Sequence, residues 1–286
     1  MVVNADRTIK KPTLLPMKYE LWGSKQYIWK LGEDFLGKIV AIGGGNLAEL
    51  ETLSIDREVV ELTGKTQPKA LFIPTASYDS VDYWAAFQKV YGKELGCETS
   101  VLYLLGIEQS SDDMDAQIQA SHLIYVGGGN TLKMMRRWRK LGVDRMIERA
   151  YSKGAVLAGV SAGAICWFNY GHSDSMSFYN PNSWSYIRVK GMGLIEAFAC
   201  PHFNGETNGA RREQDFMQMV QKVGGPGLAI DNHCALEVVD SGLRVITSQP
   251  GAAGYLVNRS RGRVTVEKIP QRQEFAPISS FLNRQA

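Results

Sequence analysis

The sequence predicts an α/β protein built on a mostly parallel sheet with helices on both faces. Three observations predict this class. Short apolar runs alternate with helical segments from residue 38 onward, each run is apolar throughout, and Gly-rich turns follow several of the runs. Continuous apolar runs are typical of strands buried on both faces, and strand–helix alternation is typical of parallel pairing. Ligands of such sheets bind beyond the carboxyl ends of the strands.

The predicted elements follow one another in a regular order. Strands are predicted at 38–42, 70–74, 99–105, 123–126 and 155–157, and helices at 56–63, 79–95, 112–120, 131–141, 143–153 and 209–223. After Phe168 the chain is loop-like through Asn182, and a strand at 194–203 follows. Four further strands, at 228–231, 236–239, 243–247 and 254–257, are expected to be antiparallel at the far edge of the sheet.

The composition is that of a globular protein with a large core. Of 286 residues, 44% are hydrophobic and 21% are charged, and the formal net charge is +3. Lys and Arg are scattered apart from a cluster at 136–140 that fits a solvated helix face, so no nucleic-acid partner is expected. No apolar run reaches the roughly 18 residues of a membrane span, and residues 1–20 lack the apolar segment of a signal peptide.

Cysteine and histidine usage bears on location and cofactors. The four cysteines show no CxxC pattern, and no Cys/His cluster has the spacing of metal ligands. Free thiols fit a reducing compartment, so a cytoplasmic location with neither metal nor organic cofactor is expected.

Two parts of the chain are expected: an N-terminal extension over residues 1–36 and one α/β domain over residues 37–286. The extension is polar at first and then rich in aromatics, including Trp22, Tyr27 and Trp29. These side chains either pack on the chain's own core or support self-association. A homodimer is also expected, formed either through this segment or through an edge strand.

The turn at Ser161 carries the strongest motif. Gly159-Val160-Ser161-Ala162-Gly163 follows an apolar strand and precedes a segment that can start a helix. This pattern is typical of a nucleophile elbow, in which glycines flank a turn too tight for a Cβ. The helix directs free N–H groups toward the same point, as a developing oxyanion requires. The alternative is a plain strand-to-helix turn with Ser161 as the helix cap.

A nucleophilic serine needs a base, which is usually a histidine. His202 leads because it ends a predicted strand, and His172 and His233 are alternatives. His122 begins a strand inside an apolar run, which fits a structural role.

A third group must orient the base. Asp174, in the loop after the elbow helix, is the first choice, and Glu206 and Asp231 are the reserves. The alternative for Asp174 is a turn residue that caps its own loop.

Two glycine runs lie at predicted strand ends. In Gly127-Gly128-Gly129-Asn130-Thr131, backbone N–H groups together with that of Ala162 would form a two-donor oxyanion hole; the alternative is a tight turn with Asn or Thr as the cap. The other run, 43–46, lacks the G-x-G-x-x-G spacing and an acidic ribose-binding residue, so NAD binding is not expected.

Three stretches, at 125–131, 159–164 and 201–203, together resemble the peptidase E (aspartyl dipeptidase) family of serine peptidases. The resemblance covers roughly residues 37–235. It implies a flavodoxin-like fold similar to that of class I glutamine amidotransferases, and a Ser–His–Asp/Glu triad.

The resemblance also assigns roles to residues. It makes Ser161 the nucleophile, His202 the base and Asp174 the acid. It places the oxyanion donors at Gly128, Gly129 and Ala162. In aspartyl dipeptidases an arginine binds the acidic side chain of the substrate, and Arg212 stands in the matching stretch; Asn130 is a further expected substrate-binding residue.

The expected function is that of a serine peptidase on short peptides with an N-terminal acidic residue. Segment 171–188 departs from the aspartyl dipeptidases, which fits a less studied branch of the family. The alternatives are a cyanophycinase-like or other amide hydrolase on the same scaffold, and a non-catalytic binding module. Glutamine amidotransferase chemistry needs cysteine at the elbow, whereas Cys166 lies about one helical turn beyond it.

Overall fold

The structure is a computed structural model that describes residues 37–106, 109–207 and 210–282. The expected extension over residues 1–36 lies outside these ranges, so the division of the chain at residue 36 stays a prediction.

The strands are, in chain order, β1 (Lys38–Ile42), β2 (Lys69–Ile73), β3 (Glu98–Val101), β4 (Leu123–Val126), β5 (Val156–Val160), β6 (Phe168–Ser173), β7 (Ile187–Lys190), β8 (Ile195–Pro201), β9 (Glu206–Thr207), β10 (Ala210–Arg211), β11 (Gly227–Ile230), β12 (Cys234–Val239), β13 (Gly242–Thr247), β14 (Gly254–Ser260), β15 (Arg263–Lys268) and β16 (Ala276–Pro277). The helices are α1 (Leu53–Glu61), α2 (Val81–Phe87), α3 (Ser111–Gln119), α4 (Thr131–Leu141), α5 (Val143–Ser152), α6 (Ala162–Ile165), α7 (Arg212–Val223) and α8 (Ser279–Leu282). A π-helix at Gln88–Glu94 continues α2, and short 3₁₀ helices lie at Thr75–Ser77 and Ser175–Phe178.

The main sheet has eight strands in the order β16-β13-β12-β1-β5-β4-β2-β3. Strands β1 to β5 pair in parallel. Strands β12, β13 and β16 extend the sheet in antiparallel fashion from β1. The strands predicted at 236–239 and 243–247 therefore lie at one edge of the parallel set, as expected.

A second sheet, which the sequence analysis did not predict, has six strands in the order β15-β14-β11-β8-β6-β7. It contains the strands predicted at 228–231 and 254–257, so these do not extend the main sheet. Strand β6 replaces the start of the predicted loop at 168–182. Its second half is polar, but the buried polar side chains are bonded inside the protein: His172 to Asp215, and Ser173 to Thr131.

The main sheet is buried on both faces, because alternate side chains of each central strand enter different apolar clusters. Ile39 of β1 packs in the cluster that includes Trp138 of α4, whereas Val40 packs with Phe72 and Tyr91 on the other face. Burying one such side chain contributes about 1.5–3 kcal/mol. The first cluster also contains side chains of β8 and β11, so the two sheets share a core.

None of the described helices is both long enough and apolar enough to span a membrane.

Candidate active site

The carboxyl ends of β1, β5, β4 and β2 are neighbours at one edge of the main sheet. Gly44 follows β1, Ser161 follows β5, Gly128 follows β4 and Thr75 follows β2. The strand order therefore places Ser161 between the two glycine-rich turns, which is the convergence expected from the sequence.

Ser161 has the backbone geometry of a nucleophile elbow. Its φ is 57° and its ψ is −109°, a conformation that costs a non-glycine residue about 1–3 kcal/mol. A Cβ on Gly159 would stand 2.5 Å from the carbonyl oxygen of Gly163, and a Cβ on Gly163 would overlap the carbonyl oxygen of Val126. Glycine at both positions is therefore required by close backbone packing around the turn.

His202 lies against Ser161, although it follows β8 of the second sheet. Its Nε2 is 2.5 Å from the Ser161 Oγ. Burial, and after it the charge of Arg212, lower the pKa of His202 to about 4. The imidazole is therefore neutral at pH 7 and can accept a proton from the serine.

The partner of the other ring nitrogen is Asn232, whose Oδ1 lies 2.8 Å from Nδ1 of His202. An amide oxygen can only accept, so Nδ1–H donates and Nε2 is left to accept from the Ser161 hydroxyl. The three side chains form a connected series from Asn232 through His202 to Ser161.

The structure corrects the expected position of Asp174 in this series. Asp174 follows β6, at the same edge of the second sheet, but its Oδ2 accepts a 2.6 Å bond from Arg212. Its charge still acts on His202 and opposes the lowering of that pKa. The physical reason for the error is that the carboxylate neutralises a buried guanidinium instead of bonding the imidazole.

Arg212 is likewise not placed to bind a substrate carboxylate. It is 3% exposed, donates to Asp174 and to the carbonyl oxygen of Pro201, and lies over the ring of Tyr186. The guanidinium thus holds the residue before His202 and is used within the protein.

The reserve carboxylates do not orient His202 either. Asp231 is buried, and its Oδ2 accepts bonds from the backbone N–H of Ala253 and the hydroxyl of Tyr255. Glu206 is exposed on β9.

The other histidines lie in different environments. His172 is fully buried and bonded to Asp215, and burial lowers its pKa. His122 accepts from the backbone N–H of Lys69, which agrees with a structural role. His233 adjoins Asn232 and lines a cleft next to the site.

The expected oxyanion groups lie close to the serine. A Cβ on Gly128 would stand 3.3 Å from that of Ser161, Gly129 adopts a φ of 132°, and Ala162 begins α6 directly after the elbow. Asn130, expected to bind substrate, is fully buried, and its Oδ1 accepts from the N–H of Lys133 at the start of α4. Its observed role is therefore that of a helix cap in a tight turn, which was the alternative.

A cleft of about 620 Å³ adjoins the site where Asn232 and His233 line it. Glu51, Asp82 and Tyr83 form other parts of its wall, and no described Lys or Arg lines it. Within the described residues, no group of His, Cys, Asp and Glu could hold a metal ion. Cys166 is fully buried, with Sγ 3.0 Å from the carbonyl oxygen of Gly163, so it is not presented at the elbow.

The residue that the sequence analysis missed is Asn232. The pattern that could have revealed it is its place directly after the predicted strand at 228–231, two residues beyond Ile230. An amide oxygen, like a carboxylate, can accept from Nδ1–H of a histidine base.

Comparison with known proteins gives the family. The model of peptidase family S51 matches residues 39–246, well over half of the chain. The uncharacterized peptidase YgaJ of Bacillus subtilis (strain 168) is 32% identical over 235 residues, which is 82% of this chain and 97% of that protein. Peptidase E of Nostoc sp. (strain PCC 7120) is 26% identical over 212 residues, 70% of this chain and 81% of that protein.

Two solved structures are similar in fold. The crystal structure of a peptidase from an acI-B1 Actinobacterium has a TM-score of 0.63 and 20% identity, and the match covers 85% of this chain and 97% of that one. A putative peptidase E of Listeria monocytogenes EGD-e has a TM-score of 0.57 and 18% identity, covering 74% and 98%. From its sequence, the chain belongs to peptidase family S51 and is a serine-type peptidase.

Proposed function

We propose that Ser161 is the nucleophile and His202 the general base of a peptidase that cleaves short peptides through an acyl-enzyme. The 2.5 Å contact between His202 Nε2 and Ser161 Oγ, at a strained elbow, carries this proposal. Oγ attacks the scissile carbonyl while Nε2 takes its proton and passes it to the leaving amine. Water, activated by the same imidazole, then releases the acyl group.

The oxyanion that forms on attack needs donors beside the nucleophile. We place them at the backbone N–H groups of Gly128 or Gly129 and of Ala162, because Gly128 packs against Ser161 and Ala162 directly follows it. Loss of one such donor costs on the order of 3 kcal/mol in other hydrolases. We also propose the flavodoxin-like fold that the resemblance implies, because its parallel strands bring these turns together.

The expected preference for an N-terminal aspartate has little support in the geometry. Arg212, the group expected to bind its carboxylate, is buried and paired with Asp174. The adjoining cleft carries the carboxylates of Glu51 and Asp82. Opposite charges attract, so a peptide with a positive group in this cleft should bind better than one with a negative group.

The proposal also includes a cytoplasmic location and assembly as a homodimer. The described cysteines are all buried free thiols, which suits a reducing compartment such as the cytoplasm. A homodimer would be detected as a doubled mass in solution.

The test is a substrate panel with Ser161→Ala as control. Dipeptides with N-terminal Asp, Ala and Lys, together with a β-aspartyl dipeptide, should separate a peptidase from a cyanophycinase-like amide hydrolase. Wild-type protein should cleave at least one α-linked peptide, and Ser161→Ala should lose about 10⁶-fold in kcat. Cleavage by folded Ser161→Ala at the wild-type rate would refute the role of Ser161. Absence of labelling by a fluorophosphonate would favour a binding module.

A further inference from the structure

The imidazole of His202 is held from both sides by uncharged groups. Ser161 meets Nε2 at 2.5 Å and Asn232 meets Nδ1 at 2.8 Å. The backbone of Asn232 is itself tied down, because its N–H donates to Oδ1 of Asn204 at 3.0 Å. This bond fixes the main chain of Asn232 beside the ring.

Strand pairing explains why these two residues meet. β8 and β11 are parallel neighbours, with Pro201 opposite Ile230 in the register. His202 follows the first strand directly, and Asn232 lies two residues beyond the end of the second. The N–H of Phe203 donates to the carbonyl oxygen of Ile230 at 3.1 Å and joins the ends of the two strands.

Two backbone features allow His202 and Asn232 to meet. His202 has a φ of 148°, in a region that favours glycine, so the surrounding bonds hold it in a strained conformation. A Cβ on Gly44, two residues beyond β1, would overlap both the Oδ1 of Asn232 and the Nδ1 of His202. The glycine turn of the main sheet thus leaves space for the bond between the histidine and the asparagine.

We propose that Asn232 is the positioning residue of His202, and that this peptidase uses a Ser161–His202–Asn232 series in which a neutral amide occupies the place of the acid. The inference rests on the proposed function of Ser161 and His202. The amide oxygen fixes the tautomer with the proton on Nδ1, and so keeps the Nε2 lone pair directed at the serine hydroxyl.

A neutral partner has a consequence that a carboxylate would not have. A carboxylate at Nδ1 would favour the imidazolium strongly, whereas an amide favours it only through a hydrogen bond. The charged groups that act on His202 are Arg212 on α7, which disfavours the imidazolium, and Asp174 after β6, which favours it. Burial and Arg212 prevail, and the pKa of His202 is lowered to about 4.

The readout that separates positioning from structure is the pH dependence of serine reactivity. A fluorophosphonate probe is used because its reaction does not require knowledge of the substrate. In that reaction the bond between Oγ and phosphorus forms, the phosphorus–fluorine bond breaks, fluoride leaves and the serine proton passes to His202. The rate falls on the acid side as His202 becomes protonated, so its midpoint reports the pKa of the base.

Two variants are compared with the wild type. Asn232→Asp should react and should move the acid midpoint to higher pH by about 1 unit or more, because its carboxylate stabilises the imidazolium. Asn232→Ala should slow labelling and peptide cleavage by about 10²-fold or more, mostly in kcat, since the ring loses its orientation. Asn180→Asp, which makes the same chemical change on an exposed loop residue, should leave both measurements unchanged.

The outcomes distinguish this inference from the proposed function. An unmoved acid midpoint in folded Asn232→Asp, or a wild-type rate in Asn232→Ala, would overturn the role of Asn232 while Ser161→Ala stays inactive. Loss of labelling at Ser161 in the wild type would instead overturn the proposed function. If Asn232→Ala does not fold, the midpoint of Asn232→Asp decides alone.

Discussion

Nε2 of His202 lies 2.5 Å from Oγ of Ser161, although the two residues follow strands of different sheets. Ser161 is presented by β5 of the main sheet and His202 by β8 of the second. The sheets share an apolar cluster that includes Leu157 and Ala199, so packing between them sets the distance on which proton transfer depends.

In the proposed mechanism the two side chains act as one unit, so the effects of removing them should not be additive. Ser161→Ala and His202→Ala should each lower kcat by about 10⁶-fold, and the double variant should be no slower than either single one. The measurement is kcat on the fastest peptide of the panel, with circular dichroism to verify folding. A double variant that is far slower than both single variants would mean that the residues contribute independently.

The elbow could be predicted from the sequence because its requirements are local. A tight strand-to-helix turn needs glycines around Ser161, and these are visible in any five-residue window. The gathering of strand ends could also be predicted, because apolar runs that alternate with helices indicate a parallel sheet.

The second sheet could not be predicted, for a physical reason. Strand β6 contains buried polar side chains, His172 and Ser173, whose burial is compensated by bonds to Asp215 and Thr131. A single sequence does not show such partners.

The partner of His202 Nδ1 also depends on tertiary structure. Strand β8 has two parallel neighbours, β6 and β11, and each is followed by a polar residue that lies near His202. Asp174 directly follows β6, and Asn232 lies two residues beyond the end of β11. Arg212 bonds the carboxylate of Asp174, whereas Asn232 bonds His202. The sequence does not reveal this pairing.

Gly44 should be essential for the site. Gly44→Ala would place a Cβ on the His202–Asn232 pair and displace the ring, so we expect a fall in kcat of about 10²-fold or more. Gly92→Ala is the matched control, because its Cβ would stand an ordinary 3.5 Å from Thr99. Full activity in folded Gly44→Ala would show that the pair tolerates displacement.

Asp174→Asn should mainly reduce stability. Arg212 is 4% exposed in its side chain and Asp174 is 28% exposed, so the substitution leaves a buried cation without its partner. We expect the free energy of unfolding to fall by about 2–3 kcal/mol, somewhat less than for a fully buried pair. Urea unfolding measures this change.

The control for Asp174→Asn is Asp115→Asn, which breaks an exposed pair with Arg149 and should cost about 0–1 kcal/mol. Activity provides the second comparison. If Asp174 were the acid of the triad, kcat would fall by about 10⁴-fold; as a partner of Arg212 its loss should cost less than that of Asn232.

Asp56 should make stability depend on pH. It is fully buried on α1, where it accepts bonds from the hydroxyls of Thr52 and Tyr91. Burial raises its pKa from 3.8 to about 6. The folded state therefore binds a proton more tightly than the unfolded chain, and the stability from this group is present below pH 3.8 and is lost as the pH rises to about 6.

Asp56→Asn removes that titration. Two pKa units correspond to about 3 kcal/mol, so the stability of the variant relative to wild type should rise by up to about 3 kcal/mol between pH 4 and pH 7. His202, whose lowered pKa makes stability fall toward acid, is present in both proteins and cancels in the difference. Urea unfolding across this pH range tests the prediction, with Asp112→Asn on the exposed start of α3 as the control. A difference that does not change with pH would show that Asp56 titrates alike in the folded and unfolded states.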